Sequence, residues 1–81
     1  MRVSVRVWHS LLPNAPREPI KVDLAEGATV DDLLAHFRAH DPTLGNMLNL
    51  AVPTTSGRAM PRTELLTDGQ ELTFIPMSAG G

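Results

Sequence analysis

The last sixteen residues, Leu66–Gly81, read LTDGQELTFIPMSAGG, and they contain the segment that decides the fold. An Asp-Gly pair typical of a tight turn is followed by alternating polar and apolar residues and then by a proline. Such alternation is typical of a strand with one buried face, and proline ends strand pairing. The sequence therefore predicts a final strand over Glu71–Ile75, with Leu72 and Phe74 in the core and Ile75 on the solvent side.

Two glycines, Gly80 and Gly81, end the sequence shortly after this strand. Because glycine has no Cβ, the backbone there can enter a narrow channel and the carboxylate is left unhindered. Glycine makes up about 7% of average composition, so two at a chosen chain end occur roughly once in 200 chains. We expect residues 76–81 to form a flexible tail with a reactive carboxylate.

Length and composition limit the class of protein. The chain has 81 residues and a net charge of −2, which predicts a single domain over 1–81 with a small core and no room for the cleft of an enzyme. The charge and a pI near 5.8 disfavour nucleic acid as a partner. The absence of cysteine excludes disulfides, thiolate metal sites and a cysteine nucleophile.

The apolar segments are short. No stretch of the sequence approaches the length of a membrane span, so no membrane partner is expected. The first residues alternate and do not form the apolar core of a secretory signal. A cytoplasmic protein is the expectation.

The amino-terminal segment predicts a half-buried strand over residues 2–8. Three valines at alternate positions form one face, and Trp8, the only tryptophan, follows two arginines and a serine on the other. Two interpretations of Trp8 remain open. Either it is an exposed anchor for a partner, or it is covered by a loop or lies beyond the end of the alternation at Val7.

A second strand is predicted shortly after the first. Residues 9–19 contain three prolines and an asparagine, which is the composition of a loop. Ile20, Val22 and Leu24 then alternate with polar residues, so the two strands are expected to pair antiparallel as a hairpin.

A helix is predicted to begin after Thr29. Thr29 can cap the helix, and Asp32 lies at the third position beyond it, as in a capping box. Apolar residues recur at i, i+3, i+4 and i+7 and define the buried stripe: Val30, Leu33, Leu34 and Phe37. Asp41 and Pro42 end the helix.

His36 and His40 lie four residues apart on this helix. That spacing can chelate a metal when further ligands converge on it, but no acidic residue at a zinc-motif spacing lies between them. Histidines in a last helical turn also interact favourably with the helix dipole. We therefore expect solvated residues and no metal site.

The middle of the sequence carries weaker patterns. Thr43–Asn49 is expected to contribute one irregular helical turn, and Leu50–Val52 a short third strand. Pro53–Thr63 has the composition of a surface loop without the spacing of a phosphate-binding loop. Arg58 and Arg62 within it are expected to be solvated charges and not an anion site.

The predicted order of elements is strand, strand, helix, short strand, loop, strand and tail. It predicts an α+β protein of the β-grasp type, a mixed sheet of four to five strands with one main helix on one face. In that arrangement the first and last strands are parallel central neighbours. Trp8 and Ile75 would then both emerge from the uncovered face beside the tail, as a docking patch.

Two stretches carry a resemblance to a known family. Glu26–Leu34 and, above all, Leu66–Gly81 resemble the sulfur-carrier proteins of the ubiquitin-like superfamily, most of all the small subunit of molybdopterin synthase. The sulfur carrier of thiamine biosynthesis is related to that subunit. The resemblance follows the order of elements over nearly the whole chain, whereas residues 9–19 and 43–63 match poorly.

The resemblance implies a carrier that is not itself an enzyme. A ubiquitin-activating-like adenylyltransferase would adenylate the Gly81 carboxylate with ATP and magnesium, and the chain itself would bind no cofactor. A persulfide on a donor protein would then convert the adenylate to a thiocarboxylate. The tail would deliver this sulfur to an accepting enzyme or to the large subunit of a synthase.

The resemblance also implies roles for individual residues. Gly81 carries the reacting group and Gly80 gives access to it. The residues implied in partner binding are Trp8, Ile75, Pro76, Met77, Ser78 and Ala79. Thiamine, cysteine or a specialised thio-metabolite could receive the sulfur instead of molybdopterin. A ubiquitin-like modifier joined to lysines through Gly81, or a β-grasp interaction domain with inert glycines, are the other classes left open.

Overall fold

The computed structural model describes residues 1–8, 11 and 18–77. Within them the chain forms five strands and two helices. They are β1 (Arg2–Val7), β2 (Ile20–Asp23), α1 (Val30–His40), α2 (Pro42–Leu48), β3 (Val52–Thr55), β4 (Arg58–Ala59) and β5 (Glu71–Ile75). No helix in the described part of the chain is long and apolar enough to span a bilayer.

The five strands form one mixed sheet in the order β2-β1-β5-β3-β4. β1 pairs antiparallel with β2 and parallel with β5, so the first and last strands are central neighbours as predicted. β3 pairs antiparallel with β5 on its other side. The α+β, β-grasp architecture expected from the order of elements is confirmed.

The core lies between the sheet and the helices. Alternate residues of β1 and β5, including Val3, Val5 and Phe74, are fully buried together with the apolar stripe of α1. The predicted division of β5 is also observed, since Leu72 and Phe74 are buried while Ile75 is only partly covered.

The start of α1 follows the predicted capping box. The Asp32 backbone N–H donates to Thr29 Oγ1 at 3.3 Å, and the Thr29 N–H donates to Asp32 Oδ2 at 2.8 Å. Two backbone donors that the helix itself cannot satisfy are thus paired. This local bonding explains why the beginning of α1 was predictable from four residues.

We expect Thr29→Ala to lower the free energy of unfolding by about 1 kcal/mol, because one amide at the start of α1 loses its acceptor. Thr29→Ser is the matched control and should stay close to wild type, since it keeps the hydroxyl. Urea unfolding followed by circular dichroism measures both variants. Equal losses for alanine and serine would show that the threonine methyl, and not the hydroxyl, stabilises this end.

Helix α2 corrects one expectation, since Pro42–Leu48 forms a seven-residue helix and not one irregular turn. Asp41 accepts a hydrogen bond from the Leu44 N–H at 3.2 Å and so caps this helix. A Cβ on Gly45 would come within 2.6 Å of the Arg38 backbone, which shows how closely α2 approaches α1. Glycine disfavours helix in isolation, and a short helix depends on such packing for its stability.

The segment 53–63 corrects a second expectation, because it is not only a loop. β3 and β4 form a hairpin in which Thr55 pairs with Arg58, and Ser56 and Gly57 between them have φ values of 50° and 78°. Positive φ at both positions is the geometry of a two-residue turn of the type that connects strands tightly. The Ser-Gly pair after two threonines could have predicted this turn, but the prolines at positions 53 and 61 favoured the interpretation as a loop.

Proline at position 53 lies inside β3 without breaking it. Its carbonyl accepts from the Met60 N–H at 2.9 Å, on the β4 side of the strand. In an antiparallel strand the N and C=O of one residue point to the same neighbour. The donor that proline lacks would therefore face β4, which is only two residues long, and not β5. The predicted third strand, Leu50–Val52, lies too early in the sequence, since the observed β3 begins at Val52.

Candidate docking surface

The sheet has one face covered by α1 and α2 and one face that neither of these two described helices covers. Because side chains alternate along a strand, the register assigns each strand residue to one of these faces. We call the uncovered side the open face. Its members are Arg2, Ser4, Arg6, Trp8, Lys21, Asp23, Val52, Thr54, Glu71, Thr73 and Ile75.

One end of the open face is apolar. The Trp8 N–H donates to the Phe74 carbonyl at 3.1 Å, so the β1–β5 ladder continues one residue beyond β1 and places Trp8 beside Ile75. Val52 pairs with Ile75 from the other side. We call Trp8, Ile75 and Val52 the apolar row.

Trp8 is 50% exposed at the edge of this row. β1 itself ends at Val7, as one interpretation predicted, and most of the loop that the other interpretation placed over Trp8 lies outside the described residues. A large half-exposed aromatic side chain is the kind of residue that anchors protein interfaces. Sequence reasoning identified Trp8 and Ile75 but missed Val52, because it did not predict which strand would pair with the segment that contains it.

The other end of the open face is polar and internally bonded. Arg2 Nε donates to Asp23 Oδ1 at 2.8 Å, and this hydrogen bond lowers the pKa of Asp23 and raises that of Arg2. Lys21 Nζ donates to Ser4 Oγ at 2.8 Å. Both pairs join β1 to β2, and they make this end less suited to an apolar contact than the row at Trp8.

The tail begins at the apolar row. Pro76 follows β5 and is partly buried, and Met77 is 65% exposed. These two predicted partner-binding residues therefore extend the exposed apolar surface in the direction of the tail. The predicted roles of Ser78, Ala79, Gly80 and Gly81 fall outside the described residues and remain predictions.

The histidine pair of α1 lies away from the open face. The ring centroids of His36 and His40 are 4.3 Å apart. Partial burial lowers the pKa of His36, and the nearby His40 lowers it further. Among the described residues, no group of three or more metal-ligating side chains is assembled.

Arg58 and Arg62 are exposed, as expected of solvated charges, and each also makes hydrogen bonds to nearby groups. Arg58 makes two 2.8 Å hydrogen bonds to the Glu64 carboxylate, and these hydrogen bonds lower the pKa of Glu64. Arg62 donates to the Asn49 side chain at 2.7 Å and to its carbonyl at 2.6 Å. Arg58 therefore links the two ends of the 58–64 segment, and Arg62 links this segment to the end of α2.

Comparison with solved structures shows what the fold is. SAMP1 from Haloferax volcanii, a small archaeal modifier protein, superposes with a TM-score of 0.78 at 22% identity, covering 100% of both chains. The chain has the ubiquitin-like β-grasp fold. A putative molybdopterin converting factor subunit 1 from Pyrococcus furiosus follows, with a TM-score of 0.73, 20% identity and coverage of 94% of this chain and 97% of that one.

A third neighbour of this ubiquitin-like fold comes from a complex. It belongs to the assembly of subunits 1 and 2 of the molybdopterin-converting factor from Helicobacter pylori, with a TM-score of 0.69, 18% identity and 100% coverage of both chains. By sequence, neither a protein-family model nor a curated protein matches the chain. The resemblance to ubiquitin-like sulfur carriers, drawn above from the sequence, therefore agrees with the fold.

Proposed function

We propose that this chain is a sulfur carrier whose Gly81 carboxylate is converted to a thiocarboxylate and donated in the biosynthesis of molybdopterin. The observation that carries the proposal is the place where the tail begins. β5 leads from the exposed apolar row directly into a segment that ends in two glycines. The solved neighbours that are molybdopterin converting factor subunits support the choice of pathway.

The chemistry requires an activated carboxylate. A carboxylate is a poor electrophile, and a ubiquitin-activating-like adenylyltransferase would join it to AMP with ATP and magnesium. The terminal sulfur of a protein persulfide then displaces AMP, and a thiol cleaves the acyl disulfide to leave the thiocarboxylate. This sequence needs a reducing compartment, so the cytoplasm is the proposed location.

The chain contributes reach and recognition, while the partners contribute catalysis. Residues 76–81 can span up to roughly 20 Å when extended, enough to enter the active site of a partner while the folded body stays outside. The apolar row and Met77 would hold the body against the adenylyltransferase and against the sulfur-accepting synthase subunit. In this proposal the chain is a carrier and not an enzyme.

Intact mass spectrometry tests the proposal. The chain is incubated with the adenylyltransferase of its host, ATP, magnesium and a sulfur source. A mass gain that matches exchange of one oxygen for sulfur, located at Gly81 by fragmentation, is the expected result. An unchanged mass with the active enzyme present would overturn the carrier assignment and favour an interaction domain with inert glycines.

A ubiquitin-like modifier is the second candidate, favoured by the superposition on the archaeal modifier protein. The chemistry is shared as far as the adenylate. The two candidates differ in the nucleophile that follows, which is sulfur for the carrier and a lysine amine for the modifier. An AMP adduct that is passed to lysines of other proteins and never gains sulfur would select the modifier.

We expect Trp8→Ala to weaken binding to the adenylyltransferase by about 2 kcal/mol, roughly thirty-fold in Kd, because it removes the largest side chain of the apolar row. Leu50→Ala is the matched control, since Leu50 is 72% exposed and lies outside the open face. It should bind like wild type. Titration calorimetry measures both variants.

Thermal unfolding completes this comparison. A half-exposed side chain contributes little to the core, so Trp8→Ala should keep most of the wild-type stability. A loss on the order of 3 kcal/mol, as for a core aromatic, would instead assign Trp8 a structural role.

A further inference from the structure

The sulfur atoms of this chain belong to four methionines, which differ widely in exposure. With no cysteine in the sequence, every sulfur is a thioether. The Met1 side chain is 1% exposed, Met60 is 5% exposed, and Met47 in α2 is partly buried. Met77, by contrast, is 65% exposed. Because oxidation of sulfur follows its exposure, a peroxide in solution meets the thioether of Met77 first.

Met77 follows directly from the apolar row. It lies two positions beyond Ile75, and Pro76 between them is partly buried. No charged side chain follows Glu71 in the sequence, so the exposed surface at this end of the open face is apolar. An oxygen atom added to the Met77 sulfur therefore places a polar group at the edge of the surface that the apolar row offers to a partner.

We propose that Met77 is a redox modification site, at which a peroxide oxidises the thioether to a sulfoxide and so weakens docking at the apolar row. The inference rests on the proposed function for its partner, the adenylyltransferase. With hydrogen peroxide, the sulfur attacks one oxygen, the S–O bond forms, the O–O bond breaks, and a proton transfer releases water. Sulfur loses two electrons and the peroxide gains them. The dithiol of a methionine sulfoxide reductase reverses the change, yielding the thioether, water and a disulfide.

Oxidation at Met77 changes the surface and not the core. The sulfoxide replaces a flexible apolar side chain by a polar one. Its oxygen must lose bound water when a partner covers it, and this desolvation is unfavourable without a matching donor. Met77 lies beyond β5 and outside the buried core cluster, which contains Met60. The thermal unfolding of a chain oxidised only at Met77 should therefore match that of the unmodified chain.

The first measurement ranks the methionines in the absence of any partner. The folded chain is treated with dilute hydrogen peroxide, quenched at intervals with free methionine, digested with trypsin and analysed by mass spectrometry. Three methionines fall in separate tryptic peptides, which are 39–58 with Met47, 59–62 with Met60 and 63–81 with Met77. The Met77 peptide should gain one oxygen at least about tenfold faster than the Met60 peptide, and the two rates should converge in urea. Equal rates in the folded chain would overturn the modification site.

The second measurement is titration calorimetry against the adenylyltransferase. It compares the chain before oxidation, after oxidation at Met77 alone, and after treatment with a methionine sulfoxide reductase. Oxidation should raise the Kd at least about fivefold, and reduction should restore it. Met77→Leu has no thioether at this position, so peroxide treatment should leave its Kd unchanged, whatever the affinity of the variant itself.

Two results would count against the effect on docking. An oxidised chain that binds as tightly as the reduced chain would overturn it directly. A reduced chain that does not bind the adenylyltransferase at all would overturn the proposed partner, and the effect on docking with it. Selective oxidation of Met77, measured without a partner, would still support the modification site in that case.

Discussion

Deletion of Gly81 is expected to abolish both adenylation and sulfur transfer to this chain. The deletion moves the reacting carboxylate back by one residue, about 3.5 Å of extended chain. A misplacement of only 1 Å in an active site can lower a rate by about 10²-fold, so the shortened tail should show no measurable activation. The measurement is intact mass after incubation with the adenylyltransferase, ATP, magnesium and a sulfur source.

Two controls separate chemistry from folding in this experiment. Gly81 follows the last strand by several positions, so the thermal unfolding of the shortened chain should match that of wild type. Gly81→Ala keeps the carboxylate in position and adds only a Cβ, and we expect an intermediate rate. Activation of the shortened chain at the wild-type rate would refute the role of Gly81.

Phe74→Ala is expected to have the largest effect on stability. Phe74 is fully buried on β5, in register with Val7 on one side and Pro53 on the other. Truncation of such a residue costs about 3–5 kcal/mol through lost burial and the cavity left behind. A domain of this size has a total stability of about 4–12 kcal/mol, so much of it would be lost. Urea denaturation monitored by circular dichroism measures the shift in midpoint.

Ile75→Ala is the matched control for this measurement. Ile75 is the next residue of the same strand and lies on the open face, where it is only partly covered. We expect it to cost less than about 1 kcal/mol of stability but to weaken binding of the adenylyltransferase. Similar destabilisation by both variants would show that the open face is buried in the protein as it exists in solution.

The sequence pattern was sufficient to predict those elements that are determined by residues close together in the chain. In β5 and β1 the alternation of side chains states which face is buried, and the capping box of Thr29 and Asp32 fixes the beginning of α1. These signals depend only on residues within one turn or a few positions along a strand. They can therefore be recognised without knowing which strand or helix packs against the segment.

The failures lie where packing overrides local preference. Gly45 is a poor helix former in isolation, yet α2 forms because that glycine permits close contact with Arg38 of α1. Pro53 argues against a strand, yet β3 forms because the missing donor faces a neighbour of only two residues. Both outcomes depend on partners distant in sequence, which no window along the chain contains.

The candidate site divides in the same way. The sequence by itself determined the two terminal glycines, the single lysine, the single tryptophan and the face of β5 on which Ile75 lies. Only the tertiary structure placed Val52 beside Ile75 and the Lys21 amine on Ser4. The physical reason is that composition and alternation are properties of one strand, whereas a surface is assembled by hydrogen bonding between strands that are far apart in sequence.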